Sequence, residues 1–327
     1  MFDFIIRRLL LLIPTVVLIS IISFVIIQLP PGDFLTSYIM TLESQGQLVD
    51  QAQIDSLKQQ YGLDQPTYIQ YFKWVEGMFR GDFGQSLTWQ EPVKDLIWER
   101  LGLTFAISLA SLLFIWAVAF PIGIYSAVKQ YSIGDYFFTF LSFLGLGIPN
   151  FLLALVIMWF AFTKLGVNVG GLFSIQYVNA PWSWGKLLDL LNHLWIPMVV
   201  LGLGGTAGLI RIMRANLLDE LRKPYVTTSR AKGMPEGKLV LKHPVRVALN
   251  PFVSTVGWTL PGLVSGSVIV SVVLNLPTTG PILLRALLSQ DMYLAGTIVL
   301  MLSLLTVIGT LISDILLAWL DPRIRLQ

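Results

Sequence analysis

The sequence predicts an all-α polytopic membrane protein with six transmembrane helices and both termini on the cytoplasmic side. Three observations carry that prediction. Hydrophobic residues fill 55% of the 327 positions and charged residues only 13%, with a mean hydropathy of +0.72; a water-soluble domain does not show that balance. The apolar residues gather into six runs, Leu9–Leu29, Leu101–Val128, Phe137–Phe162, Leu194–Met213, Phe252–Leu276 and Tyr293–Leu320. Each supplies about the 20 residues that a helix needs to cross ~30 Å of hydrocarbon. The positive residues are divided between the faces. With the N-terminus inside, Arg7, Arg8, Lys129, the nine from Arg211 to Arg246, Arg323 and Arg325 fall on the cytoplasmic face. The outer face has only Lys58, Lys73, Arg80, Lys94, Arg100, Lys164, Lys186 and Arg285, although its loops are longer. That bias sets orientation, so the net charge of +3 reflects topology and not a nucleic-acid surface.

The elements follow in order. Arg7 and Arg8 precede the first run, and Leu29-Pro30-Pro31-Gly32-Asp33 follows it without a small-x-small cleavage site. Residues 1–30 are therefore expected to be a retained transmembrane anchor and not a secretory signal. Residues 31–97 form an extracytoplasmic loop with two amphipathic helices. Ile54, Leu57 and Tyr61 mark the first, with Asp50 as its cap; Tyr68, Phe72, Val75 and Phe79 mark the second, opened by Pro66. These helices are expected to lie on the outer membrane surface and wedge the first span against the bundle; a docking surface for an extracellular partner is the other reading and does not exclude the first. Gly81-Asp82-Phe83-Gly84 is a turn by composition, and Pro92 can begin the helix that feeds the second span.

Residues 98–320 form a five-helix core interrupted by a cytoplasmic loop over residues 214–251, and residues 321–327 are a cytoplasmic tail. The core is rich in small residues and proline: Pro121-Ile122-Gly123, Gly145 to Asn150, Gly202 to Gly208 and Pro261 to Gly266. Such residues let helices approach closely and kink, as expected around a transport pathway. Trp98, Tyr125, Tyr136, Trp195, Tyr293 and Trp319 sit near span ends, where an interfacial aromatic belt belongs.

Charge within the spans is scarce. Only Asp314 and Arg211 qualify, each near the inner end of its run, whereas an ion-driven carrier shows charged residues facing a cavity. Energy for transport must then come from elsewhere. The chain has no cysteine, and His193 and His243 are isolated from other metal-ligating residues, so neither a metal centre nor a thiol nucleophile is expected. No Gly-x-x-x-x-Gly-Lys-Ser/Thr phosphate loop occurs. A catalytic site and a cofactor site are accordingly not predicted in this chain.

The segment Tyr225 to Pro251 is the most specific part of the sequence. Topology accounts for its basicity; its shape is the stronger signal. Pro224 can start a short helix, Gly233 can cap its C-terminus, Pro235 can turn the chain, and a second helix from Gly237 leads to Asn250 and Pro251. Helix, glycine break and helix make a compact knob suited to the cleft of a soluble partner.

With Arg230-Ala231-Lys232-Gly233 and Ala248-Leu249-Asn250-Pro251, this knob resembles the coupling loop of ABC importer permeases, in the variant of the dipeptide and oligopeptide family. Thr227-Thr228-Ser229 stands where the general pattern has Glu-Ala-Ala. Four further segments, in order along nearly the whole chain, resemble the B-type permease of that family. They are Arg7-Arg8-Leu9-Leu10 through Ile13-Pro14-Thr15; Pro31-Gly32-Asp33; Gly81 through Ser86; and Leu320-Asp321-Pro322-Arg323-Ile324-Arg325.

The resemblance implies a type I ABC importer permease fold in a bacterial or archaeal cytoplasmic membrane. It implies a homologous C-type permease as partner, one or two cytoplasmic ABC ATPases that bind ATP and Mg, and an extracytoplasmic solute-binding protein. The ATPase-coupling residues would be Ser229, Arg230, Ala231, Lys232, Gly233, Met234, Pro235 and Glu236. The family points to peptides as solute. Oligosaccharides or another small solute stay open, because Leu276-Pro277-Thr278-Thr279-Gly280-Pro281 replaces the family's usual Pro-Gly-Leu-Gly run after the fifth span. An ion-coupled secondary carrier and a membrane enzyme or scaffold are the other classes, and the scarcity of polar residues in the spans argues against both.

Overall fold

A computed structural model describes residues 2–28, 65–86, 88–166, 169–254 and 256–320. Among the described residues there are twelve α-helices and no strand. In chain order they are α1 (Phe2–Gln28), α2 (Thr67–Phe79), α3 (Val93–Val128), α4 (Ile133–Gly147), α5 (Asn150–Phe160), α6 (Trp184–Leu221), α7 (Pro224–Ala231), α8 (Glu236–Lys242), α9 (Pro244–Ser254), α10 (Val256–Val273), α11 (Thr279–Leu288) and α12 (Met292–Leu320). A π-helical turn, Ala161–Leu165, extends α5 and ends on Gly166, whose φ of 65° closes it.

Four helices, α1, α3, α6 and α12, are long and apolar enough to cross a bilayer. The pair α4 and α5 gives a fifth span if it is counted as one, bent by 101°. The bend has a local cause: Ile148 is extended (ψ 119°), as a residue before proline prefers, and Pro149 cannot donate to the helix behind it. The predicted run Phe252–Leu276 falls on the end of α9 and on α10, where Gly262–Val273 is a shorter apolar stretch. The described residues therefore give four or five spans against the six expected. The helix expected at Ile54, Leu57 and Tyr61, its cap Asp50, Pro31-Gly32-Asp33 and the tail 321–327 lie outside the described residues.

The chain divides into two compact units, one of Leu10–Leu103 and Thr278–Leu305, the other of Met1–Leu9, Thr104–Pro277 and Thr306–Gln327. In the first, α2 packs on α1. Trp74 is buried with Phe24, their rings 5.7 Å apart; Tyr71 meets Phe24 edge-on at 5.4 Å and shares a hydrogen bond of 2.8 Å with Ser20. The residues that pack on α1 are only partly those of the expected stripe. Tyr71, Trp74, Val75 and Met78 face the packing, while Tyr68, Phe72 and Phe79 are exposed. Two aromatic stripes share this helix, and periodicity cannot rank them.

A second cluster in the same unit joins Val93, Leu96 and Ile97 of α3 to Ile282 and Ala286 of α11 and to Leu294, Ala295 and Ile298 of α12. The Gly81 to Ser86 turn is fastened to it. Asp82 accepts from the Gly84 amide at 2.9 Å, and Gly84 (φ 80°) lies so close to the Tyr293 ring that a Cβ would stand 2.8 Å from it. Ser86 donates to the fully buried Asp291, which also accepts from the Thr88 amide (3.1 Å) and caps α12 through the Leu294 amide (3.2 Å).

In the other unit α6 is the spine, packed on α4, α5, α9 and α10. Lipid is as apolar as leucine, so close packing and not removal from water holds such helices together. Accordingly Gly202 and Gly205 admit Phe114 and Ile115, whose atoms lie 2.6 and 2.7 Å from where a Cβ would stand. The start of α6 is tied to the preceding segment. Asp189 accepts from the Ser174 amide (2.7 Å) and hydroxyl (2.6 Å), and the buried Lys186 donates to the Ala180 carbonyl (2.8 Å) between the rings of Phe173 and Trp182. Of the two charges expected within spans, Asp314 pairs with Arg8 at 3.2 Å, and Arg211 stands 5.8 Å from the centre of the Phe143 ring.

Candidate functional site

The long helix α6 ends at Leu221, and within three residues the chain starts α7 with Pro224 as its first residue. Proline suits that position because its missing N–H has no intrahelical partner there. Thr228 and Ser229 turn their hydroxyls back on the carbonyls of Pro224 (3.0 Å) and Tyr225 (2.8 Å). The helix closes at Ala231 and Lys232 with two bonds: the Gly233 amide donates to the Arg230 carbonyl (3.0 Å) and the Met234 amide to the Ser229 carbonyl (3.3 Å). That pair is a Schellman motif, and it requires a left-handed residue between its donors. Gly233 has φ 77°.

Pro235 then caps α8, and its carbonyl accepts from the Leu239 amide at 2.9 Å. The Arg230 guanidinium grips Glu236 with two nitrogens, the Nε at 3.0 Å, and so bridges the break between α7 and α8. Because of that guanidinium the Glu236 carboxyl titrates below its ordinary value, and Arg230 is pushed up in turn. At the base of the loop, partial burial and a hydrogen bond to Glu220 push the Tyr225 phenol up, so its hydroxyl stays a donor.

The knob has a dry underside and a wet tip. Val226, Leu239, Val240, Pro244, Val245 and Ala248 are buried, while Arg230, Ala231, Lys232, Gly233, Pro235, Glu236, Gly237 and Lys238 are exposed. Ser229 and Met234 are half-buried. The eight residues from Ser229 to Glu236 thus run from the last turn of α7, through the backbone-locked break at Lys232 to Pro235, to the first residue of α8. The second helix expected from Gly237 to Asn250 is two helices, α8 and α9, broken at His243, and Pro251 lies inside α9. Proline at position 244 enforces the break.

One further group escaped the sequence reading. Asp135, 2% exposed, receives both the Nε (3.0 Å) and an Nη (2.9 Å) of Arg214. Ser132-Ile133-Gly134-Asp135 carries the pattern of a helix start, and the Ser132 hydroxyl does accept from the Asp135 amide at 3.2 Å. Nothing in the sequence marks Arg214, 79 residues away, as its partner.

Comparison with known proteins places this arrangement. Residues 119–326 match the family model of the binding-protein-dependent transport system inner membrane component, and residues 1–110 match the N-terminal model of such membrane components. Over 98% of this chain and 99% of the relative, the sequence is 36% identical to the oligopeptide transport system permease protein AppB of Bacillus subtilis. The dipeptide transport system permease protein DppB of Alkalihalophilus pseudofirmus is 28% identical over 98% of both chains. The oligopeptide transport system permease protein OppB of Mycobacterium tuberculosis is 32% identical over 85% of this chain and 86% of its own. A solved structure of the MetNI methionine ABC transporter, described as inward facing, aligns with a TM-score of 0.54 at 18% identity, covering 69% of this chain and 96% of that one; this likeness concerns the fold alone. In this family the ATPase is a separate subunit, so the chain is a transport subunit and not an enzyme. The chain belongs to the binding-protein-dependent transport system inner membrane components, as a B-type permease of the dipeptide and oligopeptide ABC importer family.

Proposed function

We propose that this chain forms, with a homologous C-type permease, the membrane pathway of an ABC importer for peptides, and that Ser229 to Glu236 is where ATPase motion enters it. The observation that carries the reading is the knob: a backbone-locked turn with an exposed tip, at the end of α7, a helix that starts three residues beyond the end of the spine helix α6. One or two cytoplasmic ATPases bind ATP and Mg and seat the tip, while an extracytoplasmic binding protein delivers the solute. The chain crosses a bacterial or archaeal cytoplasmic membrane six times, N-in and C-in. Peptides are favoured over oligosaccharides because relatives at 28–36% identity carry dipeptide or oligopeptide names.

The chain has no cysteine, which makes a single-cysteine test clean. Lys232→Cys is expected to crosslink to the co-purified ATPase subunit and Trp184→Cys is not; crosslinking of neither, in an assembled complex, would overturn the placement of the knob. Calorimetry on the cognate binding protein with peptide and oligosaccharide panels tests the solute. Tight binding of sugars alone would replace peptide by oligosaccharide.

A further inference from the structure

The knob moves nothing unless its motion reaches the spans. Among the described residues, α6 is the helix that leads into α7, and α4 and α5 form the bent pair packed on it. Two contacts between α4 and α6 differ in kind. Near the bend, Gly145 of α4 rests on Leu203 and Ala207 of α6, with a hypothetical Cβ only 3.3 to 3.5 Å from them. Such a contact sets how closely the helices approach, but it engages no charged group. At the other end the contact is directional: Asp135 at the start of α4 and Arg214, two turns before the end of α6, meet fork to fork. A bidentate pair fixes rotation as well as separation.

That end is also immobilised around the pair. The Tyr131 amide donates to the second Asp135 oxygen at 3.0 Å, with Tyr131 itself at φ 65°. One residue before Arg214, Met213 is fully buried and presses on α3 at Gly123, where a Cβ would stand 2.7 Å from it. Arg214 and its neighbour Met213 thus tie α6 to α4 and to α3 at one level. With Asp135 buried and the Arg214 side chain 27% exposed, the pair is a poor source of stability, because desolvating the carboxylate offsets much of the attraction. A role in geometry accounts better for its presence.

We propose that the Asp135–Arg214 fork is the joint that makes α4 follow α6, so that displacement of the knob reaches the bend at Ile148–Pro149 as movement of one rigid body. Both are positioning residues. The proposal rests on the coupling-loop reading of Ser229 to Glu236, but it concerns a different step: the knob receives the motion and the fork passes it on.

The test uses the full complex with its partner permease, ATPases and binding protein in proteoliposomes, reading solute uptake and ATP hydrolysis together. Asp135→Asn keeps the shape and the acceptor for the Tyr131 amide but releases the charge. Arg214→Lys keeps the charge and removes the fork. Each is expected to assemble and to hydrolyse ATP in response to loaded binding protein, while uptake per ATP falls at least about fivefold. Uptake and hydrolysis falling in proportion, or an unchanged ratio in whichever variant assembles, would overturn the proposal. If neither variant assembles, the fork is a folding element and the proposal fails. Failure of the coupling-loop reading is separately visible, as loss of the Lys232→Cys crosslink to the ATPase in the parent complex.

Discussion

Gly233 holds the tip of the knob in shape through its backbone alone. Its φ of 77° puts it in the left-handed region, and a Cβ there would meet nothing within 4 Å. Substitution therefore costs conformational energy and not a clash. Gly233→Ala is expected to raise the local energy by about 1 kcal/mol, seen as roughly fivefold faster hydrogen exchange at the Gly233 and Met234 amides. Gly233→Asn should be milder, because asparagine tolerates this region. Gly233→Trp adds bulk to the exposed tip and should abolish uptake while leaving hydrolysis, if the tip seats in an ATPase cleft. Full-rate uptake by an assembled Gly233→Trp complex would refute that seating. The neighbouring Arg230–Glu236 pair has a defined pH dependence. The carboxyl of Glu236 is depressed below 4.5 in the folded chain, so the pair is intact above pH 4.5 and is lost as pH falls through the depressed value. Both side chains are half exposed, and solvent screens them. Glu236→Gln should leave exchange at Met234 nearly unchanged, and protection in the parent should likewise change little as pH falls below 4.5, after correction for intrinsic exchange.

At the scale of elements, helix starts and stops were the most legible part of the chain. Pro224, Gly233 and Pro235 act at the positions their backbone chemistry dictates, as does the Gly81 to Gly84 turn. Faces were less legible. On α2 the stripe of Tyr68, Phe72 and Phe79 is as aromatic as the stripe that packs, and only the position of Phe24 selects Tyr71 and Trp74. The same holds for the cap of α12. Asp291 is an ordinary N-cap by sequence, but its second oxygen is taken by Ser86 and the Thr88 amide from over 200 residues away. Asp291→Ala removes the cap and strands two donors, one on a fully buried side chain, so a loss of about 2 kcal/mol or more is expected. A thermal-unfolding scan of the purified complex in detergent would read it; a midpoint matching the parent would show that water replaces the carboxylate.

For the whole molecule, orientation is the open physical consequence of the charge bias. Cysteines introduced singly at Arg80 and at Lys238 are expected to react with a membrane-impermeant maleimide from opposite sides, Arg80→Cys from outside and Lys238→Cys only after permeabilisation. Labelling of both from one side would reverse or break the six-span topology. The sequence by itself determined the solvent, the helical class and the position of the knob. Bilayer thickness, backbone satisfaction and the restrictions on proline and glycine act locally, and so are written in consecutive residues. Only the tertiary structure decided the rest: which face of α2 packs, what Asp291 binds, and that Asp135 finds Arg214. Each of those depends on groups brought together from distant parts of the chain. In lipid, where apolar faces are not driven out of solvent, close fit and paired polar groups select among otherwise equivalent surfaces.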